Sequence, residues 1–175
     1  MQDRGETEEE HRKWLWAFPQ IEGVPPSPRG GHSATLTGAS LIVFGGHFYE
    51  GKEVGFKYLN DTQVLDVNSS RWIKPKIKGT PPEPRYGHSA VLAGARIIIF
   101  GGKGKKKDAM RDLHALDPLT MTWFQGPEGG GAPSARFDHT ASLVNGTKMV
   151  VFGGWNGNNF YNDVHVLDLQ MMAWS

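Results

Sequence analysis

The chain of 175 residues contains no cysteine, and this absence removes several classes of site at once. A disulfide framework, a thiolate nucleophile and a zinc site with cysteine ligands all need a thiol. The net charge is only +1, and no apolar run approaches the roughly 20 residues of a membrane-spanning helix. We therefore expect no nucleic-acid partner and no membrane partner. We also expect no catalytic residues, no metal and no cofactor.

The amino terminus lacks the pattern of a secretory signal. It reads MQDRGETEEEHRK, which is acidic and polar where a signal would be basic and then apolar. We predict that residues 1–12 form a disordered acidic tail. We expect a cytoplasmic protein, with which the absence of cysteine is compatible.

What the sequence has in abundance is repetition. Four signals recur three times in a fixed order: a turn with arginine and histidine, an apolar run followed by two glycines, a segment ending in aspartate, and a tryptophan six residues later. The glycine pairs are Gly45-Gly46, Gly101-Gly102 and Gly153-Gly154, the aspartates are Asp66, Asp117 and Asp168, and the tryptophans are Trp72, Trp123 and Trp174.

Each signal predicts a piece of β-structure. The runs LIVF, IIIF and MVVF are apolar at every position, which is typical of a strand buried on both faces. The aspartate segments partly alternate, as half-buried strands do, and the more polar tryptophan strand belongs outermost. Each unit is therefore predicted to be a four-stranded antiparallel meander. The glycine pairs are interpreted as backbone devices and the tryptophans as wedges between sheets.

These four ordered signals resemble kelch repeats. The resemblance implies an all-β fold of kelch-type β-propeller blades, at about 24–75, 80–126 and 131–175. Trp16 stands 13 residues before Arg29, the spacing that later tryptophans keep to Arg85 and Arg136. We therefore predict that residues 13–23 form the outer strand of a neighbouring or closing blade. The sequence RD at 111–112, which replaces the ND of the other units, departs from the pattern.

Three blades cannot close a ring, because propellers typically have 4–8 blades. One interpretation is that the chain is a piece of a longer protein that supplies the missing blades. Another is that two copies pair into a six-bladed ring. A third is an open array, which exposed strand edges disfavour.

The predicted meander places two sets of loops on one face: those leading into the first strand and those between the second and third strands. Long, varied loops on a rigid scaffold favour binding. We predict that this face binds a partner protein through Arg29, Arg85, Arg136, Tyr49, Tyr86, Phe137, Lys103, Lys105, Lys106 and Trp155. Because arginine forks suit carboxylates, an acidic peptide is the expected ligand. The alternative is that the repeated arginines are internal, each held by a loop carbonyl or an aspartate.

For function, the resemblance implies a non-enzymatic scaffold or adaptor for protein–protein interaction. The alternative is an enzyme or metal-dependent lyase built on the same propeller. The three Arg-x-x-His turns raise the possibility of a metal site, but a residue repeated once per blade more often has a structural role. The lysine run near residue 105 is a weak nucleic-acid signal in a chain of near-zero net charge.

Overall fold

A computed structural model of the protein describes residues 16–106, 108–127 and 131–175. These residues form fourteen strands and no helix. The predicted acidic tail at 1–12 lies outside the described residues. Nothing in the described part of the chain forms an apolar helix of membrane-spanning length.

The strands group into three four-stranded sheets and one hairpin. The first sheet and its hairpin comprise β1 (Ser33–Thr37), β2 (Ser40–Phe44), β3 (His47–Tyr49), β4 (Phe56–Tyr58), β5 (Thr62–Asp66) and β6 (Arg71–Ile73). The second sheet comprises β7 (Ser89–Ala93), β8 (Arg96–Lys103), β9 (Ala109–Asp117) and β10 (Thr122–Gln125). The third comprises β11 (Thr140–Val144), β12 (Lys148–Phe152), β13 (Val164–Asp168) and β14 (Ala173–Trp174).

Each sheet is an antiparallel meander, which confirms the predicted fold class. The first sheet has the order β1-β2-β5-β6, and β3 pairs only with β4 in a hairpin inserted between β2 and β5. The first strands of successive sheets, β1, β7 and β11, lie side by side. The sheets are therefore consecutive blades, and each lies within one predicted range, although the exact domain limits stay a prediction.

The glycine pairs all occupy the left-handed region of backbone space, with φ between +64° and +105°. At Gly101 a Cβ atom would lie 2.6 Å from the Arg136 carbonyl oxygen of the next blade. That carbonyl accepts a 2.9 Å hydrogen bond from the N–H of Gly102. The pair therefore serves both turn geometry and the close approach of two blades.

Apolar layers fill the space between blades. Trp123 packs on Phe44 of the preceding blade with ring centroids 4.8 Å apart, and Trp174 packs on Phe100 at 5.1 Å. Trp16 differs, because it is 96% exposed and residues 16–20 form no strand. Its predicted place in another blade stays a prediction. The repeated aspartates cap the turns before the outer strands by accepting backbone N–H bonds; they are Asp66, Asp117 and Asp168.

Buried histidines link the blades near the first strands. The ring of His88 hydrogen-bonds through Nε2 to Ser33 Oγ at 2.9 Å, and that of His139 to Ser89 Oγ at 2.8 Å. In both rings Nδ1 is buried and has no hydrogen-bond partner among the described residues. Burial, reinforced by the charge of Arg85, lowers the pKa of His88 to about 3, because protonation would bury an unpaired N–H. Burial also lowers the pKa of His139, to about 4.

The apolar strands differ in burial, which the sequence did not indicate. The apolar run of β8 is buried on both faces, whereas in β12 Phe152 is 51% exposed. The reason is position, because β8 belongs to the middle blade and β12 to a blade with a neighbour on only one side. Two-sided burial was therefore a wrong prediction for the MVVF run in this chain.

Substitution of Gly101 by Ala should separate the two demands on the glycine pair. Gly94 provides a matched control, since its φ is +56° and a Cβ there meets nothing within 4 Å. We expect Gly94→Ala to lower the free energy of unfolding by about 1 kcal/mol through backbone strain alone. Gly101→Ala should lower it by about 3 kcal/mol or more, because the carbonyl contact adds to the strain. Equal losses in urea titrations would contradict the close-approach explanation.

The buried histidines predict a loss of stability in mild acid. In the unfolded chain a histidine binds a proton near pH 6.5, whereas folded His88 resists protonation until about pH 3. The contribution of His88 to the free energy of unfolding is therefore at its full value above pH 6.5. It decreases as the pH falls towards 3, because the unfolded chain takes up a proton that the folded chain does not. When the pH is lowered from 7 to 5, the free energy of unfolding should fall by about 2 kcal/mol less in His88→Gln than in the parent. Parallel pH profiles for the two proteins would show that His88 does not titrate on unfolding.

Candidate partner-binding face

Backbone hydrogen bonds join the loops of one face into a continuous rim. Within the second blade, Tyr86 and Lys103 exchange N–H···O=C bonds of 2.9 Å, so the loop leading into β7 is paired with the end of β8. Gly30 with His47 and Phe137 with Trp155 repeat this pairing. Successive blades are joined as well, because the N–H of Gly87 donates to Gly31 at 2.9 Å and that of Asp138 to Gly87 at 2.8 Å.

The repeated arginines lie beneath this rim. Arg85 is 0% exposed, and its Nη1 and Nη2 each donate a 2.7 Å hydrogen bond to Asp112 of the same blade. Nη1 also donates to the carbonyl of Gly101 at 2.9 Å, and Nε donates to that of Glu83 at 3.0 Å. The bidentate ion pair and the two carbonyls together engage Nε, Nη1 and Nη2, so the guanidinium finds its hydrogen-bond partners inside its own blade.

The other blades repeat the arrangement. Arg136 is also 0% exposed and pairs with Asp163 at 2.6 Å, while Arg29 pairs with Asp61 at 2.7 Å. Burial opposes ionisation of Asp112, but hydrogen bonds from Arg85 and His114 outweigh it and hold the pKa of that carboxyl well below its usual range. The ion pairs therefore stay charged at neutral pH.

This burial corrects the predicted arginine contacts. Arg29, Arg85 and Arg136 do not present their guanidinium groups to a partner, because each is committed to an aspartate and a glycine carbonyl. The internal alternative left open by the sequence is the one that the structure has. Phe137 is likewise a packing residue, since it is only 2% exposed.

Aromatic rings form a band across the three blades on this face. Its two ends are exposed, and Phe160 at one end is 84% exposed while stacked on Trp155 with 14° between ring planes. Neighbouring ring centroids lie 4.4–5.7 Å apart, and the order is Tyr49, Phe56, His47, Tyr86, Phe137, Trp155 and Phe160.

Charged side chains border the aromatic band in the second blade. The ammonium of Lys103 lies 4.8 Å from the ring centroid of Phe137, a cation–π contact. Lys105 and Lys106 follow in the same loop and are exposed. Burial raises the pKa of Asp138, although the charges of His47 and Lys103 oppose that rise.

The structure thus brings together part of the predicted site. Tyr49, Tyr86 and Trp155 lie in the aromatic band, Lys103 contacts it, and Lys105 and Lys106 are exposed in the same loop as Lys103. Sequence reasoning missed the aspartate partners Asp61, Asp112 and Asp163. The missed signal was a constant spacing of 27 residues from arginine to aspartate in the second and third blades. It also missed Phe56 and Phe160, whose loops have no repeat to align.

Other groups on the blades are engaged in packing networks. A cleft of about 410 Å³ on the second blade is lined in part by Asp112 and His114, which hydrogen-bond to each other at 2.7 Å within the Arg85 network. Within residues 16–106, 108–127 and 131–175, no three His, Cys, Asp or Glu side chains are placed to hold a metal ion.

Removal of one buried charge should test the internal role of the arginines. Arg85→Ala leaves Asp112 with His114 alone and the Gly101 carbonyl without its arginine donor beneath the rim, so we expect a loss of about 3–5 kcal/mol of unfolding free energy. Lys105→Ala, in an exposed position on the same face, should stay within about 0.5 kcal/mol of the parent. An Arg85→Ala protein with the parent's urea midpoint would contradict this role.

The comparisons with known proteins agree with this architecture. The family model for the KLHDC2/KLHL20/DRC7 Kelch-repeats domain matches residues 8–175. Host cell factor 2 of Homo sapiens is 37% identical over 161 residues, which cover 82% of this chain and 20% of that protein. Kelch domain-containing protein 3 of Homo sapiens is 33% identical over 168 residues, covering 86% and 41%.

A plant relative is similar to the same extent. Acyl-CoA-binding domain-containing protein 5 of Arabidopsis thaliana is 34% identical over 160 residues, covering 91% of this chain and 24% of that protein. The chain spans less than half the length of the relatives named here. The kelch family model, together with host cell factor 2 and Kelch domain-containing protein 3, supports a protein-interaction scaffold in general terms. With the family model matching nearly the whole length and every sheet folded as a blade, the chain belongs to the kelch-repeat family.

Proposed function

We propose that the chain is a non-enzymatic interaction platform that binds a partner protein through the aromatic band and the lysines beside it. The observation that carries the proposal is the band itself, which spans three blades and ends in exposed rings. Aromatic side chains supply large contact areas at low entropic loss, and they dominate binding energy at interfaces. The predicted cytoplasmic location stays a prediction.

The two faces of the blades differ in a way that supports this assignment. The opposite face consists of tight turns, such as the one between β9 and β10, which Asp117 caps by accepting two backbone N–H bonds. The loop face carries the inserted β3–β4 hairpin and the segment from Trp155 to Phe160. Its loops are anchored by paired backbone bonds, so their side chains are held in place before a partner arrives, which lowers the entropic cost of binding.

The chemistry of the face indicates the kind of segment it would bind. Because the predicted arginines are internal, the exposed positive charges of the predicted set are those of Lys105 and Lys106. We propose a partner segment with apolar or aromatic side chains that lie along the band and an acidic residue that meets these lysines. The acidic contact would be exposed, so it would contribute about 1 kcal/mol or less and weaken with salt. Affinity would rest mainly on the rings.

A random peptide library displayed on phage provides the test. Peptides selected on the parent chain should contain aromatic or apolar residues with at least one acidic residue. Binding of a selected peptide, measured by fluorescence anisotropy, should weaken about tenfold or more in Phe160→Ala or Phe56→Ala. Lys105→Glu should also weaken peptide binding, and the loss of affinity should be larger at low salt than at high salt.

Two control variants locate the peptide. Leu119→Ala removes an exposed apolar side chain from the opposite face, and Val164→Ala removes one from the open side of the third blade. Neither should change the affinity. Peptides that bind all ring variants like the parent, or that lose affinity only in a control variant, would refute the proposed face.

A further inference from the structure

One position of the arginine loops is glycine in two blades and aspartate in the third. Gly31 and Gly87 each stand two residues after the loop's arginine, and both have a φ of +63°. Asp138 takes their place in the third blade with a φ of +54°. A residue other than glycine is strained in this left-handed region, although aspartate tolerates it better than most. The third blade therefore carries a carboxylate at a position where the backbone favours glycine.

Asp138 differs from the other strained residues in its place on the blades. Five non-glycine residues of the described chain have a positive φ. Four of them lie in the tight turns of the face opposite the loops, where hairpin geometry accounts for their conformation; they are Ser70, Met121, Asn145 and Met172. Asp138 is the fifth and lies on the loop face. Backbone strain of this kind concentrates at binding and catalytic sites.

Asp138 adjoins two central rings of the aromatic band. It follows Phe137 in the chain, and its N–H donates to the carbonyl of Gly87, the residue after Tyr86, at 2.8 Å. A Cβ atom on Gly87 would lie 2.5 Å from Asp138 Oδ1, so the glycine leaves the space that the carboxylate occupies. Burial raises the pKa of the Tyr86 phenol, and the charges of Tyr58 and Asp138 raise it further. The carboxylate is therefore close to the band.

The fold does not use the carboxylate of Asp138. Among the described residues it accepts no hydrogen bond and forms no ion pair, whereas the aspartates beneath the rim each bind an arginine. It is exposed to solvent. A segment that lies along the band would pass over this position and remove water from the carboxylate. An ionised carboxylate that loses water without gaining a donor opposes binding, so the segment must supply one.

The charges near Asp138 indicate which kind of donor fits. The ammonium of Lys103 lies 4.8 and 5.8 Å from the ring centroids of Phe137 and Trp155, and its charge acts on Asp138. A cationic group of a partner would meet Lys103 as a like charge, which disfavours it. An amide N–H or a hydroxyl group donates to the carboxylate without this repulsion.

We propose that Asp138 determines the specificity of the aromatic band by accepting a hydrogen bond from an uncharged donor, an amide or a hydroxyl group, of the bound partner segment. This inference rests on the proposed function, because it needs the band to be the binding surface. A segment without a donor at this point would leave the carboxylate buried and unpaired, so it is rejected. The strain at Asp138 then serves recognition rather than stability.

Replacement of the aspartate by the glycine of the other blades tests the proposal. Asp138→Gly should have a urea midpoint equal to or above that of the parent, because glycine adopts this φ without strain. Its affinity for a peptide selected on the parent from the phage library should fall about tenfold or more, because the peptide's donor is left unpaired. Asn145→Gly is the matched control, since it changes a left-handed residue on the opposite face and should leave the affinity unchanged.

Two further measurements identify the donor. Asp138→Asn keeps an acceptor oxygen but removes the charge, so its affinity should stay within about fivefold of the parent's. Alanine substitutions along the peptide locate a side-chain donor, and N-methylation of its main chain locates an amide donor. One such change should weaken binding to the parent but not to Asp138→Gly, because both changes remove the same hydrogen bond.

Several results would overturn the role of Asp138. They are a clearly lower urea midpoint for Asp138→Gly, an affinity of Asp138→Gly like the parent's, an equal loss of affinity in Asp138→Asn and Asp138→Gly, and the lack of any peptide position coupled to Asp138. Peptides that bind Phe56→Ala and Phe160→Ala like the parent refute the band, and a library without binding peptides refutes both proposals. Peptides that need these rings but not Asp138 refute only its role.

Discussion

The structure depends on the buried arginine at the start of each blade, whose side chain and main chain make separate sets of hydrogen bonds. The side chain of Arg85 holds its own blade, through Asp112 and the carbonyl of Gly101. Its main chain holds the preceding blade, because its N–H donates to Leu59 and its carbonyl accepts from Gly46. A buried guanidinium is tolerable only with its donors satisfied, so the loop must keep this shape.

The loop face follows from that constraint. With the arginine loops anchored, Tyr86 and Phe137 are brought 5.7 Å apart across a blade boundary, although they are far apart in the chain. The rings are therefore ordered by the scaffold rather than by the loops themselves. The same interaction that stabilises each blade thus places the side chains that we propose for binding.

The end blades show what the repeat needs from its neighbours. In repeat proteins each unit is stabilised largely by contacts with the units beside it. The middle blade is covered on both sides, whereas Phe152 and Leu36 mark uncovered faces on the third and first blades. These two faces carry the two halves of the joint that links consecutive blades, with Phe152 in the place of Phe44 and Phe100 and His32 in the place of His88 and His139.

The sequence by itself determined the blade. Apolar runs, glycine pairs and regularly spaced tryptophans predicted four-stranded meanders and kelch membership, because each signal reports a local backbone or packing demand. Only the tertiary structure decided which way the arginines face, since a repeated Arg suits both a binding rim and an internal ion pair. It also decided that Phe137 is buried while Phe160 is exposed, because burial depends on neighbouring loops that pairing brings close. Local pattern specifies the unit, but contacts between units specify what each side chain touches.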